Sequence, residues 1–446
     1  MSVMMGTSAN KDIFMNSWFY KDESEDASPN DLCTIIDSDD EMVVENSLEE
    51  VQPKQQKAQE KGLIVIGPDC GTGILQEDPV ACANVIEKGN IGIVGASGTG
   101  IQEAAAIISR KGGGISYAIG TGGRDLSQGV GAVAAIRSLE TLAHDPETDI
   151  IVFISEPPAP EVRDKVVNVF ITLNKPVVAA FIGEKPREDH DNVHYACTLK
   201  ETASIALDLS RNSDIHLKQW IRENEDIKKI KSNEGQREIK GYYCGGALAL
   251  EAAMIIEDVF NIDPAVEYPE GIMLRHNGTE IINLGDDAYT QGRAHPMIDP
   301  SLWVDFVSEA VNYPETAVIL LDHVIGCGGH EDMAGVFAPV IKEAKANRPL
   351  VFIVSVTGSE RDPLKHSEQV KKFEEAGAIV AGNNAQATRL AIEIIKYLKS
   401  ADSEEKAQSE LIATLEPDAV ISNKPRVINV GFAETRFQCQ QLSVNQ

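Results

Sequence analysis

The 446-residue sequence is short of long apolar runs, of positive charge, of patterned cysteine and of a basic opening segment. Each shortage excludes a class of function. The longest purely apolar run, Val177–Ile182, has 6 residues where a membrane span needs about 20, so no membrane partner is expected. Only 40 Lys and Arg face 69 Asp and Glu, a formal net charge of −29. Nucleic-acid backbones and anionic lipids repel such a chain, so no nucleic-acid partner is expected either. The 7 cysteines are odd in number and scattered, with no Cys-x-x-Cys pair. That argues against a disulfide framework and a zinc site, and for a reducing compartment; no metal is expected. Met1–Lys21 is mixed and polar, without a basic stretch leading into an apolar one, so the expected location is the cytoplasm.

What remains is ordinary globular composition, 43% hydrophobic with 24% charged. At about 100–200 residues per domain the length suggests two to three domains. Residues 1–60 carry 14 acids against 4 lysines, and Asp22–Glu60 reads as a poorly ordered acidic arm. From Lys61 onward, short β-branched runs alternate with helical periodicity, the pattern of βαβ units and a parallel sheet. Strands are expected at Leu63–Ile66, Ile91–Val94, Ile115–Ile119, Ile150–Ile154 and Val177–Phe181, with a closing helix near Glu201–Arg211. The charged stretch 213–240 reads as a linker. A second block places strands at Ile281–Leu284, Ala317–Asp322, Leu350–Val354 and Ala378–Ala381. Its helices are expected at Ala247–Val259, Glu331–Ala346, Leu364–Ala376 and Ala385–Leu398. Residues 401–446 read as a charged tail in which Arg426–Phe432 could form one more strand. The blocks echo each other: Asp149–Ile154 and Pro176–Phe181 recur, helix between them, as Ala317–Asp322 and Pro349–Val354.

Two glycine-rich loops between a strand and a helix carry the chemistry that can be read: Gly95-Ala96-Ser97-Gly98-Thr99-Gly100 and Gly326-Cys327-Gly328-Gly329. Glycines there let the backbone approach an anion, and a helix N-terminus supplies free N–H groups. Ser97 and Thr99 add hydroxyls; Gly98 is expected either to supply a positive φ or to permit close approach. Neither loop has the Gly-Lys-Ser/Thr of a P-loop or the GxGxxG spacing, which disfavours nucleotide or dinucleotide binding by either fingerprint. A third loop, Gly122-Gly123-Arg124-Asp125, offers an arginine that could clamp a carboxylate or phosphate; the same residues could equally make a turn with a surface Arg124–Asp125 pair. Among the 9 histidines, His295, in Gly292-Arg293-Ala294-His295-Pro296-Met297-Ile298-Asp299, and His330, beside Gly326–Gly329, are the candidate acid–base groups, with Arg293 as a cation nearby. No nucleophile can be read from the spacing.

In order along the chain, Gly67-Pro68-Asp69-Cys70-Gly71, Gly95–Thr99 and Gly120-Thr121-Gly122-Gly123 resemble loops of the α subunit of succinyl-CoA synthetase. Gly326–Gly329, the Pro349–Val354 strand and Ala376-Gly377-Ala378 resemble the ligase domain of its β subunit. An α-like part (61–212) fused to a β-ligase-like part (241–400) resembles the FdrA-like proteins. Gly285-Asp286-Asp287, Gly292–Asp299 and Thr357–Pro363 are the most FdrA-like stretches. The resemblance implies an α/β fold of two succinyl-CoA-synthetase-like (flavodoxin-like) parallel-sheet domains in tandem, after a shortened N-terminal acidic segment. It also implies an oxamate carbamoyltransferase subunit (oxalurate and phosphate to oxamate and carbamoyl phosphate) acting with other subunits in allantoin catabolism. The older analogy is an NDP-forming acyl-CoA synthetase, and a non-catalytic subunit is a third reading. Phosphate and a small carboxylate would be held by Gly95, Ser97, Gly98, Thr99, Gly100, Gly122, Gly123, Arg124, Gly326, Gly328 and Gly329. Phosphate is then a substrate and no resident cofactor is assigned, with CoA or a nucleotide left as the open alternative. Two departures bear on this. Only 66 residues precede the Gly-Pro-Asp-Cys loop, too few for a complete CoA-binding domain in front of it. The Gly-His-Ala-Gly phosphohistidine loop of the synthetases is missing after Val177–Phe181, where His190 and His194 are the nearest histidines, and no ATP-grasp domain is present.

Overall fold

The computed structural model describes residues 3–5, 19–20, 64–66, 72–75, 78–190, 192–211, 230–233, 235–264 and 266–414. The acidic segment, the loop Gly67–Gly71, linker residues 213–229 and the tail strand lie outside them. Strands β1 (Val3–Met5), β2 (Phe19–Tyr20) and β3 (Ile64–Ile66) form a small sheet of order β2-β1-β3.

The first large sheet contains β4 (Thr72–Leu75), β5 (Asp78–Ala81), β6 (Lys88–Gly95), β7 (Ile115–Gly120), β8 (Ile150–Ser155), β9 (Val177–Phe181) and β10 (Val193–Tyr195). Its helices are α1 (Gly98–Arg110), α2 (Val133–His144), α3 (Pro160–Thr172) and α4 (Leu199–Ser210). The second sheet contains β11 (Glu238–Tyr243), β12 (Ile272–His276), β13 (Thr279–Asn283), β14 (Thr316–Val324), β15 (Val351–Thr357) and β16 (Ile379–Ala381). With it run α5 (Gly246–Phe260), α6 (Asp287–Thr290), α7 (Ser301–Asn312), α8 (Met333–Asn347), α9 (His366–Glu375) and α10 (Asn384–Thr414).

The spatial orders are β10-β9-β8-β6-β7-β4-β5 and β12-β13-β11-β14-β15-β16. Numbered along the chain within each domain, the parallel strands β7-β6-β8-β9-β10 and β13-β11-β14-β15-β16 share the order 2-1-3-4-5. The strands that echo each other in sequence are the third and fourth of each domain. The antiparallel additions escape periodicity. In β5 an Asp78-Pro79 start hides the strand, and β4 is only 4 residues long. The expected linker ends early, because Glu238 already opens β11, and α7 fills the stretch after Pro300 that carried no expectation. Helix α10 also runs on past residue 400, to Thr414.

One hydrophobic core runs through both domains. Helix α1 shows why: Gly100 to Ile108 are all buried, so it is covered on every side rather than along one stripe. Its own sheet covers one face and the second domain the other. Hydrogen bonds cross the same boundary. Asp362 accepts from Val85 N–H at 2.7 Å and from Asn84 Nδ2 at 2.9 Å. Glu103 accepts from Thr357 Oγ1 at 2.6 Å, and Glu251 from Leu199 N–H at 2.7 Å. Arg110 donates to the Gly358 carbonyl at 2.7 Å.

Candidate functional site at the seam of the two sheets

In a 2-1-3-4-5 sheet the chain leaves the first and third strands in opposite directions, which opens a crevice at their C-terminal ends. The first domain places Gly95–Gly100 there, between β6 and β8. Ser97 is the N-cap of α1, and its hydroxyl accepts from Gly100 N–H at 3.4 Å. Two of the glycines serve packing. A Cβ at Gly95 would lie 2.7 Å from Ile101 Cγ1, and one at Gly100 would lie 3.0 Å from Ile154 Cγ2. Gly98 and Thr99 head the first turn, where N–H groups have no intrahelical acceptor. Gly98 is not among the residues with positive φ, which corrects that part of the expectation: only close approach can require a glycine there.

Gly122, with φ 79°, leads into a 3-10 turn, Gly123–Leu126. Asp125 is not at the surface, where the pair reading places it. Asp125 is fully buried and accepts from Ala134 N–H at 2.9 Å and Ala135 N–H at 2.8 Å, holding the start of α2. Arg124 faces the other domain, its Nη2 3.7 Å from Asp287 Oδ2.

The second domain's crevice meets the first at Gly245, the N-cap of α5, which has no side-chain cap. A Cβ there would lie 2.8 Å from Thr99 Oγ1, so the first turns of α1 and α5 abut. A Cβ at Gly246 would lie 3.0 Å from Glu156 Oε1 and 3.2 Å from Asn283 Nδ2. Under this point sits Asp322, fully buried near the C-terminal end of β14. It accepts from Cys244 N–H at 2.8 Å, Gly245 N–H at 2.9 Å and Cys244 Sγ at 3.3 Å. Those bonds favour the carboxylate, but burial outweighs them and pushes Asp322 up to about 7. The sequence signal for Asp322 is an acid closing the apolar run Ala317–Leu321.

The structure joins the two histidine loops. His330 N–H donates to the Met297 carbonyl at 2.7 Å, and Met297 N–H donates to His295 Nδ1 at 3.2 Å. His295 Nε2 reaches the seam: a Cβ at Gly285 would lie 2.5 Å from it and 2.3 Å from the Cys244 carbonyl oxygen. Burial lowers His295 to about 4, so the ring is neutral. Arg293 is exposed on the same loop. His330 Nδ1 accepts from Asp332 N–H at 3.0 Å. Asp299 is held below the usual carboxylate range, first by hydrogen bonds from Ser301, then by His330 and Arg293.

Gly326, Gly328 and Gly329 behave differently from the expectation of a loop that opens a helix. Cys327 N–H is bonded to the Ala83 carbonyl at 2.9 Å, and a Cβ at Gly326 would lie 2.8 Å from that oxygen. Helix α8 starts only at Met333, capped by Asp332, whose carboxylate also meets Lys372 at 2.7 Å. This loop therefore docks one domain on the other, and a carboxylate already occupies the helix start. His190 and His194 sit elsewhere too. His194 pairs in register with Val178 near the start of β9, and His190 bridges to Val193, at the edge of the sheet away from Gly95–Gly100. Neither stands where a phosphohistidine would meet the seam.

Three family models match the chain: "AllF, heavy metal-associated domain" over residues 1–63, "CoA binding domain" over 86–183 and "CoA-ligase" over 242–394. The "Uncharacterized protein YahF" of Escherichia coli (strain K12) is 38% identical over 400 residues, covering 86% of this chain and 76% of that protein. The chain belongs to the YahF family. It carries CoA-binding and CoA-ligase domains behind an AllF-type N-terminal domain. The α subunit of malate–CoA ligase from Methylorubrum extorquens is 29% identical over 168 residues, 36% of this chain and 53% of that subunit. A dinucleotide-forming acetyl-coenzyme A synthetase of Ca. Korarchaeum cryptofilum, solved with phosphate and ADP, aligns over 80% of this chain and 76% of its own, at 14% identity and a TM-score of 0.29. Residues 1–63 hold one cysteine, Cys33, five methionines and no histidine, so they lack the paired cysteines of a thiolate metal site. Among the described residues no helix is long and apolar enough to cross a membrane.

Proposed function

We propose that this chain is the core of an NDP-forming acyl-CoA-synthetase-like enzyme that makes or uses an acyl phosphate at the seam of its two domains. The observation that carries the reading is the meeting of the first turns of α1 and α5, Thr99 against Gly245, each at the switch point of its sheet. Phosphate would lie against the first-turn N–H groups of Gly98 and Thr99, with Arg124, which meets the largely exposed Asp287, as the nearby cation. Two helix ends and a guanidinium meet the charge that develops on phosphate oxygens, which needs no covalent help from the protein. The CoA-binding and CoA-ligase matches support the synthetase side of the reading. In that case CoA is a substrate thiol.

A second reading, favoured by the AllF-type N-terminal match and by His190 and His194 standing away from the seam, is the FdrA-like carbamoyltransferase subunit. Carbamoyl phosphate is itself an anhydride of the acyl-phosphate class. A phosphate oxygen would attack the terminal carbonyl of oxalurate, the carbon–nitrogen bond would break, and oxamate would leave with a proton on its nitrogen. Other subunits would then be partners.

The test is ligand-dependent melting of the full chain, wild type against Gly98→Val, titrated with inorganic phosphate. Phosphate should raise the melting temperature of the wild type and lose at least about tenfold in affinity in the variant, since a side chain blocks the oxyanion's approach. Wild-type affinity in folded Gly98→Val protein would remove the seam from the reaction. Turnover then separates the readings: thioester formed from an acyl phosphate and CoA favours the first. Carbamoyl phosphate consumed with oxamate, in the presence of the partner subunits, favours the second. No turnover of either kind in the complete complex leaves the chain a non-catalytic subunit.

A further inference from the structure

The loop that carries His295 is built to fix its ring, and the ring is left with one unused group. The His295 carbonyl accepts from Ile298 N–H at 2.8 Å and Asp299 N–H at 3.0 Å, a tight turn that sets the backbone. The turn also delivers Met297 N–H to His295 Nδ1 at 3.2 Å. A backbone N–H can only donate, so Nδ1 is an acceptor, and the single proton of a neutral imidazole must sit on Nε2. Nε2 makes no hydrogen bond among the described residues. It projects over Gly285, where a Cβ would stand 2.5 Å away, toward the start of α5. The close approach of an imidazole is a specific reason for glycine at that position.

We propose that His295 is a neutral hydrogen-bond donor whose Nε2–H meets the acyl oxygen of the substrate as charge develops there, the ring neither gaining nor losing a proton. Placed this way it would serve as one arm of an oxyanion hole, opposite the helix ends that hold phosphate. A general base is the competing role, and it requires the other arrangement: a bare Nε2 able to take a proton at neutral pH. Burial argues against that, since it keeps the cationic form out of reach in the neutral range. The proposal rests on reading the seam as an acyl-transfer site, and the experiment keeps the two apart.

Nitrogen-15 spectra of histidine-labelled full-length protein report the tautomer directly. The His295 signal, assigned by its absence in His295→Gln, should show the Nε2–H form without titration between about pH 5.5 and 8, and should shift when carbamoyl phosphate is added. An Nδ1–H tautomer, or a protonation midpoint inside that window, overturns the proposal. Affinity gives the second readout. His295→Gln keeps a neutral donor and should bind carbamoyl phosphate, which carries the acyl oxygen, within about threefold of wild type, whereas His295→Ala should lose about tenfold. Equal loss in both variants overturns the donor role. Phosphate binding should survive in both. If wild-type protein binds neither phosphate nor carbamoyl phosphate, the seam reading falls, while the tautomer still decides whether Nε2 carries the donor proton.

Discussion

Near the end of the third parallel strand of the first sheet stands Ile154; at the corresponding place in the second stands Asp322. The first switch point is closed without a charged group: Ala96 N–H bonds the Ile154 carbonyl at 2.9 Å, and the Ser97 hydroxyl caps the helix that follows. In the second, the ladder between β11 and β14 ends at Tyr242 and Leu321. The Asp322 carboxylate then replaces it, holding Cys244 and Gly245 N–H groups ahead of an uncapped helix. One topology is thus closed in two ways. The uncharged closure costs nothing in charge burial. The carboxylate closure buries an ionisable group and makes one half of the molecule sensitive to pH.

Removing that carboxylate should have the largest effect. Asp322→Ala strands two buried N–H donors and leaves a void, each donor worth ~1–3 kcal/mol, so a loss of about 3–5 kcal/mol is expected in denaturant unfolding. The sign of the pH effect follows from the direction of the shift. Asp322 is raised from 3.8 to about 7 in the folded protein, so the folded state holds the proton more tightly than the unfolded state. Its contribution to stability is complete below the unfolded value and is lost as pH rises toward about 7. Glu251, raised to about 7 chiefly by burial, adds in the same direction. Wild-type stability should therefore decline between those limits, and Asp322→Asn should flatten part of the slope while lowering stability throughout. A slope unchanged in Asp322→Asn would mean that the carboxylate does not bear the charge cost assigned to it.

Next in size is the contact between the two switch points. Gly245→Ala places a Cβ 2.8–3.0 Å from three Thr99 atoms, closer than real Cβ contacts come, and overpacking of this kind costs about 1–3 kcal/mol. Thr99→Gly removes those atoms. The double variant Gly245→Ala/Thr99→Gly should recover at least half of the loss, and strictly additive effects would separate the two helix starts that the comparison brings together.

How much of this was legible depends on what each position owes to its neighbours in sequence. Buried parallel strands announce themselves as β-branched runs, so Val177–Phe181 was readable to the residue and the echo between third and fourth strands could be seen. The glycines of Gly95–Gly100 were readable as a strand-to-helix loop, but not the division among them. Gly95 and Gly100 answer to Ile101 and Ile154. Arg124 was marked as a clamp, while its partner Asp287 comes from the other domain, 163 residues away by number (287 − 124), a pairing no local pattern carries. Gly326–Gly329 looked like the first loop and serves as a dock, because what decides its role is the Ala83–Val85 segment pressed against it. The buried acids did leave a trace. Glu103 is the sole acid of its alanine- and isoleucine-rich helix, and Glu251 the sole acid of the apolar stretch Ala247–Ile256, and an isolated acid in such a setting must find donors across an interface.

The smallest effect belongs to the first switch point and makes the contrast quantitative. Ser97 occupies the place that in the second domain has no side-chain cap, and its bond to Gly100 N–H is long, at 3.4 Å. An N-cap serine is ordinarily worth ~0.5–2 kcal/mol, and a bond of this length belongs at the lower end, so Ser97→Ala should cost about 0.5–1 kcal/mol. Nothing ionises at Ser97, so the cost should be the same at pH 5 and pH 8, unlike that of Asp322→Ala, which should shrink as the pH rises and the buried carboxylate becomes more costly to keep. Chemical denaturation of both variants at the two pH values measures this. A pH-dependent cost for Ser97→Ala would show that the charge felt at the seam reaches both helix starts, and the two closures would then have to be treated as one coupled unit.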